Sequence, residues 1–277
     1  MTFEKLSAKW ENDLRSLWKT VFGDEDEYIS LFFDNYFNET EAFGAIENEK
    51  LIAMLFLLPM KVRAGESSFD AKYIYAVATD PEYRGRGVST KLLDKTHEYL
   101  KREGTDLSVL VPASGSLFEF YSKRGFRTDF SIDLIDWNRK QPSDSTADLV
   151  RESSLASLKH MRDEYFSKCS LYCEYDEKGL SYREKETLFL GGKILTFTDN
   201  KPLGYAVCIP QKDHVLIKES TFGNDERAFA SIADYFKKDK LKIRIKGSKI
   251  PFAMSYWYTK RPEAYFEKTP YISLVLD

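Results

Sequence analysis

Val77-Ala78-Thr79-Asp80-Pro81-Glu82-Tyr83-Arg84-Gly85-Arg86-Gly87-Val88-Ser89-Thr90 decides how this chain is read. Residues 73–79 have the composition of a strand, and Pro81 marks a turn. Two glycines then alternate with two arginines before an amphipathic helix predicted over 88–101. Such a junction is an anion cradle. Glycines let the backbone approach a ligand closely, successive N–H groups converge on it, and the helix N-terminus adds partial positive charge. Arg84 and Arg86 stand at the rim as charge-assisted donors. The spacing excludes two common phosphate motifs. A Walker loop needs a lysine after its second glycine, and none follows Gly87; a dinucleotide fingerprint needs a third glycine where Thr90 stands. A junction whose glycines serve only the turn is the bland alternative. Spacing, Pro81 and helix onset agree in favouring the cradle.

At 277 residues the chain is long enough for two domains. Its composition, 43% apolar and 31% charged, is that of soluble globular proteins. A net charge of −3 argues against nucleic acid as the main partner. The longest apolar run, residues 51–60, is too short to cross a bilayer, and the N-terminus lacks a signal-peptide core, so no membrane partner is expected. Three cysteines, an odd number, suit a reducing cytoplasm better than a disulfide framework. Cys169 and Cys173 with His160 have no second pair to complete a zinc site, so no metal is expected.

Working outward from the loop, the first half reads as two helices, a hairpin, strand-loop-helix and strand-helix-strand. Leu14, Leu17, Trp18, Val21 and Phe22 lie at helical spacing, and Ile29, Phe32, Phe33, Tyr36 and Phe37 mark a second helix. Residues 42–46 and 51–62 flank a turn as a hairpin. Residues 107–111 form a short buried strand, Ser114 or Ser116 is expected to cap a helix, and Gly125 stops it. The segment 141–148, rich in Pro, Ser, Asp and Thr, is the linker candidate.

The second half reads as a faded repeat. Residues 194–198 and 203–209 mimic the hairpin, 215–221 the strand before the loop, and 226–237 the helix after it. Only Gly223-Asn224-Asp225 stands between the last two. The phosphate loop is gone, and Asp225 would repel a pyrophosphate. Residues 271–277 alternate as an ordinary terminal strand would.

The segment Arg84-Gly85-Arg86-Gly87-Val88-Ser89, after a strand ending Val77-Ala78-Thr79-Asp80-Pro81, resembles motif A of the GNAT superfamily of acyl-CoA N-acyltransferases. It departs only at Ser89, where the family has Gly or Ala. The order of elements over 1–137 is also that of the family. The resemblance implies an α/β (α+β) fold, with a mixed, mostly antiparallel central sheet flanked by helices. Two tandem GNAT-like units follow: residues 1–140 with the donor site, and a degenerate unit at 149–277, as in the enhanced intracellular survival type of acetyltransferases.

What the resemblance implies for the site is specific. Gly85, Arg86, Gly87, Val88, Ser89 and Thr90, with Arg84, would hold the pyrophosphate of acetyl-CoA. Backbone groups of Val77, Ala78 and Thr79 would meet the pantetheine and polarise the thioester carbonyl. Tyr121, in Phe120-Tyr121-Ser122-Lys123-Arg124-Gly125-Phe126, matches the family's general acid; the alternative is an aromatic packed on the sheet. Many relatives carry a glutamate on the motif A strand, and Lys72-Tyr73-Ile74-Tyr75 offers none. In the enhanced intracellular survival relatives a C-terminal carboxylate reaches the site, which raises Asp277 as a base.

The implied function is a cytoplasmic acetyl-CoA-dependent N-acetyltransferase. Its acceptor would be an amine, in a small molecule or at a protein N-terminus or lysine. Tyr28, Phe32 and Phe33 are candidates for an acceptor wall, and Asp24 to Glu27 for attracting a cation. The rival reading is a non-catalytic acyl-CoA-binding or interaction module.

Overall fold

In the computed structural model, which describes residues 1–139, 150–199, 201–266 and 269–276, the apolar run at 51–60 is the middle of a sheet covered on both faces. Strands β1 (Thr2–Leu6), β2 (Glu41–Glu47), β3 (Lys50–Ala64) and β4 (Ser67–Thr79) pair in succession, all antiparallel. Along β3, Met54, Phe56 and Leu58 pack toward helices α1 (Glu11–Phe22) and α2 (Asp26–Asn35), against Trp18 and Phe32. Ala53, Leu55 and Leu57 point the other way and meet Leu92 and Leu93 of α3 (Val88–Arg102). A strand buried on both faces needs a continuous apolar sequence, which is why this run does not alternate.

The remaining sheet joins the two halves. Strand β5 (Leu107–Leu110) lies parallel to β4. Helix α4 (Gly115–Ser122) then leads into β6 (Arg127–Asn138). Between β5 and β6 lies β13 (Ile250–Trp257), supplied from the far end of the chain and antiparallel to both. Beyond β6 the order continues through β12 (Lys240–Lys246), β11 (Val215–Ser220), β10 (Lys201–Pro210), β9 (Lys193–Asp199) and β7 (Val150–Glu152). A short strand, β8 (Tyr172–Glu174), pairs with the far end of β3.

Only β4/β5 and β11/β12 are parallel among the described residues. Each of these pairs is bridged by a helix, α3 or α7 (Glu226–Phe236). The hairpin β9–β10, then β11, α7 and β12, thus repeats β2–β3, β4, α3 and β5. The α/β architecture with a mostly antiparallel sheet is as the sequence implied. The repeat extends upstream: β7, helix α5 (Lys159–Phe166) and helix α6 (Glu177–Phe189) precede β9 as β1, α1 and α2 precede β2, with the short β8 inserted.

Three expectations need adjustment. The linker at 141–148 and the terminal Asp277 lie outside the described residues. Ser114 stands at the N-cap of α4 but makes no capping bond; its hydroxyl meets that of Ser116 at 3.1 Å. Residues 271–276 are buried yet form no strand beyond a bridge at Tyr271. Side chains, rather than a neighbouring strand, take up their carbonyls: Tyr175 donates to Ser273, Arg183 to Leu274, Lys218 to Val275 and Tyr73 to Leu276. No described helix is long and apolar enough to cross a membrane.

Candidate functional site

The sheet opens where β4 leaves β5. Their ladder runs only from Ala71 opposite Leu107 to Tyr73 opposite Val109, while β4 continues to Thr79 against β3 alone. Val77 and Thr79 are half-buried, and the backbone of this segment has no ladder partner on the β5 side. The register against β3 slips here too, and Ala76 takes a left-handed φ of +48°. A bulge with a non-glycine residue at positive φ re-aims the strand's edge groups.

The loop that follows is held in shape by its own side chains. Asp80 accepts from the Glu82 amide at 3.0 Å and pairs with Lys50 at 2.8 Å. That ion pair holds the Asp80 carboxyl below its usual range. Arg84 turns back to the Thr79 carbonyl through Nε at 3.2 Å. Arg86 stacks over Tyr83 at 4.7 Å and reaches Glu47 at 3.5 Å. Both arginines are exposed.

Gly85 and Gly87 have φ of +78° and +72°, a region that costs other residues ~1–2 kcal/mol. A Cβ added to either would meet nothing within 4 Å, so both open onto empty space. Gly87 is the N-cap of α3 and supplies no side-chain bond to the first turn. The amide ends of Val88, Ser89 and Thr90 are therefore left for a ligand or solvent. Gly85 to Thr90 thus stand at the start of α3, with Arg84 just before them.

One cation at this cradle was not foreseen. Arg124 reaches across from α4 and donates twice to the Thr90 hydroxyl, through Nε at 3.1 Å and through Nη2. It lies over the Phe120 ring at 3.4 Å and donates to the Phe120 carbonyl at 2.5 Å. A guanidinium thus stands against the first turn of α3, within the same motif that contains Tyr121.

Tyr121 is 6% exposed and packs edge-on against Phe126, with ring centroids 5.6 Å apart. Burial pushes its phenol up to about 12, against the opposing charge of Arg124. It is protonated throughout the neutral range. Its hydroxyl has no hydrogen-bond partner among the described residues. Gly125, at φ +84°, ends the helix as read from the sequence.

The predicted acceptor wall divides. Phe32 and Phe33 are core residues, 0% and 4% exposed, under Trp18 and Phe56. Tyr28 is half-buried and donates to Glu186 of α6 at 2.8 Å. Of the acidic run, Asp24 accepts from the Trp18 indole and Asp26 pairs with Lys19, each at 2.7 Å. No described group of His, Cys, Asp and Glu has the arrangement of a metal site.

A cavity of about 720 Å³ lies at the opposite end of β4. It is lined there by Glu41, Lys72, Arg63 and Glu174, far along the strand from Thr79. It takes in none of the loop residues, so it is not the site that the motif describes.

The second copy of this junction is closed. At the start of α7, Asp225 accepts from the amides of Arg227 and Ala228, at 2.9 and 3.1 Å. The amides that α3 leaves open are occupied here by a carboxylate.

Comparison with known families bears on the first copy. Residues 2–128 match the acetyltransferase (GNAT) domain. This segment belongs to the GNAT family. An uncharacterised N-acetyltransferase of Methanocaldococcus jannaschii is 41% identical over 56 residues, 19% of this chain. That stretch covers 24% of the relative, so the chain spans about a quarter of the curated protein it matches. Over the whole chain the likeness is one of fold. A conserved protein of unknown function from Enterococcus faecalis aligns with 93% of this chain and 72% of its own, at a TM-score of 0.73 and 17% identity. Eis1 from Mycobacterium abscessus aligns with 88% of this chain and 65% of its own, at 0.59 and 12% identity. The fold across both halves of the chain is therefore shared with these structures.

Proposed function

We propose that this chain transfers an acetyl group from acetyl-CoA to a primary amine by direct attack in a ternary complex. The observation that carries this reading is the uncapped N-terminus of α3, behind two left-handed glycines that open onto empty space. The thioester, when bound, supplies an acyl group activated toward nitrogen.

The chain's own residues divide the remaining work. The backbone of Gly85 to Thr90 holds the pyrophosphate, with Arg84 and Arg86 at its rim and Arg124 behind it. Val77, Ala78 and Thr79 present the strand edge freed from β5 to the pantetheine and to the carbonyl oxygen. Tyr121 keeps the proton that the departing sulfur requires. The three cysteines lie in the second half, away from Tyr121, in keeping with a reaction that needs no acyl-enzyme.

The donor unit is residues 1–140. The unit at 149–277 is a degenerate copy without a donor site, because Asp225 occupies the amides that would receive a phosphate. The acceptor is an amine of a small molecule or of a protein N-terminus or lysine, and the setting is cytoplasmic.

One specific observation favours a binding module without chemistry: β4 between Ala71 and Thr79 carries no carboxylate to serve as base. Release of free CoA from acetyl-CoA, measured across a panel of primary amines, separates the two readings. Turnover on an amine supports transfer. CoA binding with no turnover on any amine supports the module.

A further inference from the structure

The two parallel ladders part in the same way. The β11/β12 ladder runs from Val215 opposite Leu241 to Ile217 opposite Ile243. Beyond it, β11 continues to Ser220 against β10, and β12 to Lys246 against β6. A wedge opens between them, as it does where β4 leaves β5. On one face, residues of α7 pack with Ile217, Leu241 and Ile243. Alternation along β12 sends Arg244 and Lys246 to the other face, where the end of α5 and Tyr271 meet them around a cavity of about 240 Å³.

The floor of this cavity is aromatic. Phe166, the last residue of α5, stacks on Tyr271 with ring centroids 5.2 Å apart, and Tyr165 meets Phe166 edge-on at 5.1 Å. The rim is cationic. Lys168 and Lys246 are exposed, and neither enters an ion pair among the described residues. Arg244 brings a third positive charge, with its guanidinium over the Phe252 ring at 4.6 Å. Burial and the Glu219 charge raise the Tyr271 phenol, and Arg244 opposes them from close by. The described residues that line the cavity include no carboxylate. Glu219, one position before Ser220, is fully buried and engaged elsewhere: it pairs with Arg162 at 3.2 Å and accepts from Tyr205 and Ser273.

We infer that this cavity binds a small aromatic carboxylate, its ring laid on Phe166 and Tyr271 and its acid group held by Lys168 and Lys246. The second half, whose helix N-terminus is closed to phosphate, then keeps a ligand site of its own. An apolar enclosure with a few convergent charges is the general form of a small-molecule site. The lysines select an anion over a neutral isostere, because only the anion makes charge-assisted bonds to them. The floor selects an aromatic acid over inorganic phosphate, which has no apolar surface to bury there. The site shares no residue with the donor loop, so it stands or falls apart from the transfer reading.

Cys169 supplies a reporter. It lines the cavity half-buried, whereas Cys173 and Cys208 are buried. Calorimetric titration of benzoate into the full chain and into the double variant Lys168→Gln, Lys246→Gln tests the charges; both lysines are exposed, so the fold should survive. Benzoate should bind the wild type and lose roughly tenfold or more in affinity to the double variant, the scale of a lost charged hydrogen bond. Benzyl alcohol, the neutral control, should bind the wild type at least tenfold more weakly than benzoate. Saturating benzoate should slow alkylation of wild-type Cys169 by iodoacetamide, read by peptide mass spectrometry, and leave acetyl-CoA affinity unchanged. No benzoate binding by the wild type, or equal affinity in the two proteins, overturns the site. So does unslowed alkylation, displacement of acetyl-CoA by benzoate, or binding of inorganic phosphate as tight as that of benzoate.

Discussion

Gly87 and Asp225 occupy the same place in two copies of one supersecondary unit, the N-cap of the helix that follows a central strand, and they do opposite things there. Gly87 offers no side-chain acceptor and leaves the first turn of α3 open, whereas Asp225 binds two amides of α7 through Oδ1. A helix N-terminus is an anion site, and the second copy has filled its own. The difference predicts opposite consequences of substitution.

Replacing Asp225 by alanine should destabilise the fold by ~1 kcal/mol, the usual worth of an N-cap side chain. It should not create a second CoA site, because Gly223 alone stands where the first loop has the Gly85-x-Gly87 pair, and no arginine precedes Asp225 as Arg84 and Arg86 precede α3. Urea denaturation followed by CoA titration of Asp225→Ala checks both halves of the prediction. A second equivalent of bound CoA would contradict it.

Removing the phenol of Tyr121 tests its assigned role separately from packing. Tyr121→Phe keeps the ring against Phe126 and should leave acetyl-CoA affinity within about twofold. The turnover rate on a competent amine should fall by ~10²-fold or more, the scale of a lost general acid. Steady-state kinetics then show a change in kcat with little in KM. An equal fall in acetyl-CoA affinity would make Tyr121 a binding residue instead.

Arg124 predicts a linked effect on the cradle. Its two bonds to Thr90 place a positive charge against the first turn of α3. Arg124→Leu should weaken CoA binding by roughly tenfold, an amount consistent with the loss of one charge-assisted contact. The loss should shrink as salt is raised. Titrations at low and high ionic strength give the comparison, and a salt-independent deficit would point to a packing defect.

His97 predicts an acid-side loss of stability. It stacks on Tyr256 with ring centroids 4.2 Å apart, and its Nδ1 lies 2.7 Å from the Tyr258 hydroxyl. Burial depresses its pKa from 6.5 to about 4. The folded form then binds fewer protons than the unfolded form between these values, so stability is full above pH 6.5 and is lost as the pH falls through about 4. Thermal melts across this window should fall less steeply for His97→Phe than for the wild type. Parallel slopes would remove His97 from the acid-side transition.

How much of this was legible in the sequence depends on whether the chemistry was local. The loop was readable because its determinants lie within fourteen consecutive residues, and both glycines do adopt left-handed conformations. Tyr121 was placed on its helix by Gly125, which stops that helix as a C-terminal glycine should.

What could not be read is the pairing of distant segments. Periodicity tells which face of a strand is buried, not which strand covers its edge, so β13 between β5 and β6 gave no signal. Tyr28 and Glu186 stand 158 positions apart, and nothing local to either marks the contact. The aromatic stripe that included Phe32 and Phe33 pointed equally to a core and to a binding wall, and burial decides for the core. The alternating tail at 271–276 failed as a strand because four side chains, not a neighbouring backbone, take up its carbonyls.

The account turns on one open helix N-terminus as the donor site. Its most direct test is calorimetric titration of CoA into the full chain and into Gly87→Glu, with circular dichroism to confirm that the variant folds. The added Cβ points into empty space, so the fold should survive with ~1–2 kcal/mol of backbone strain at φ +72°. The carboxylate should then repel the pyrophosphate. The prediction is one CoA bound per wild-type chain and no measurable binding to Gly87→Glu. Unchanged affinity in a folded Gly87→Glu, or no CoA binding by the wild type, would contradict it.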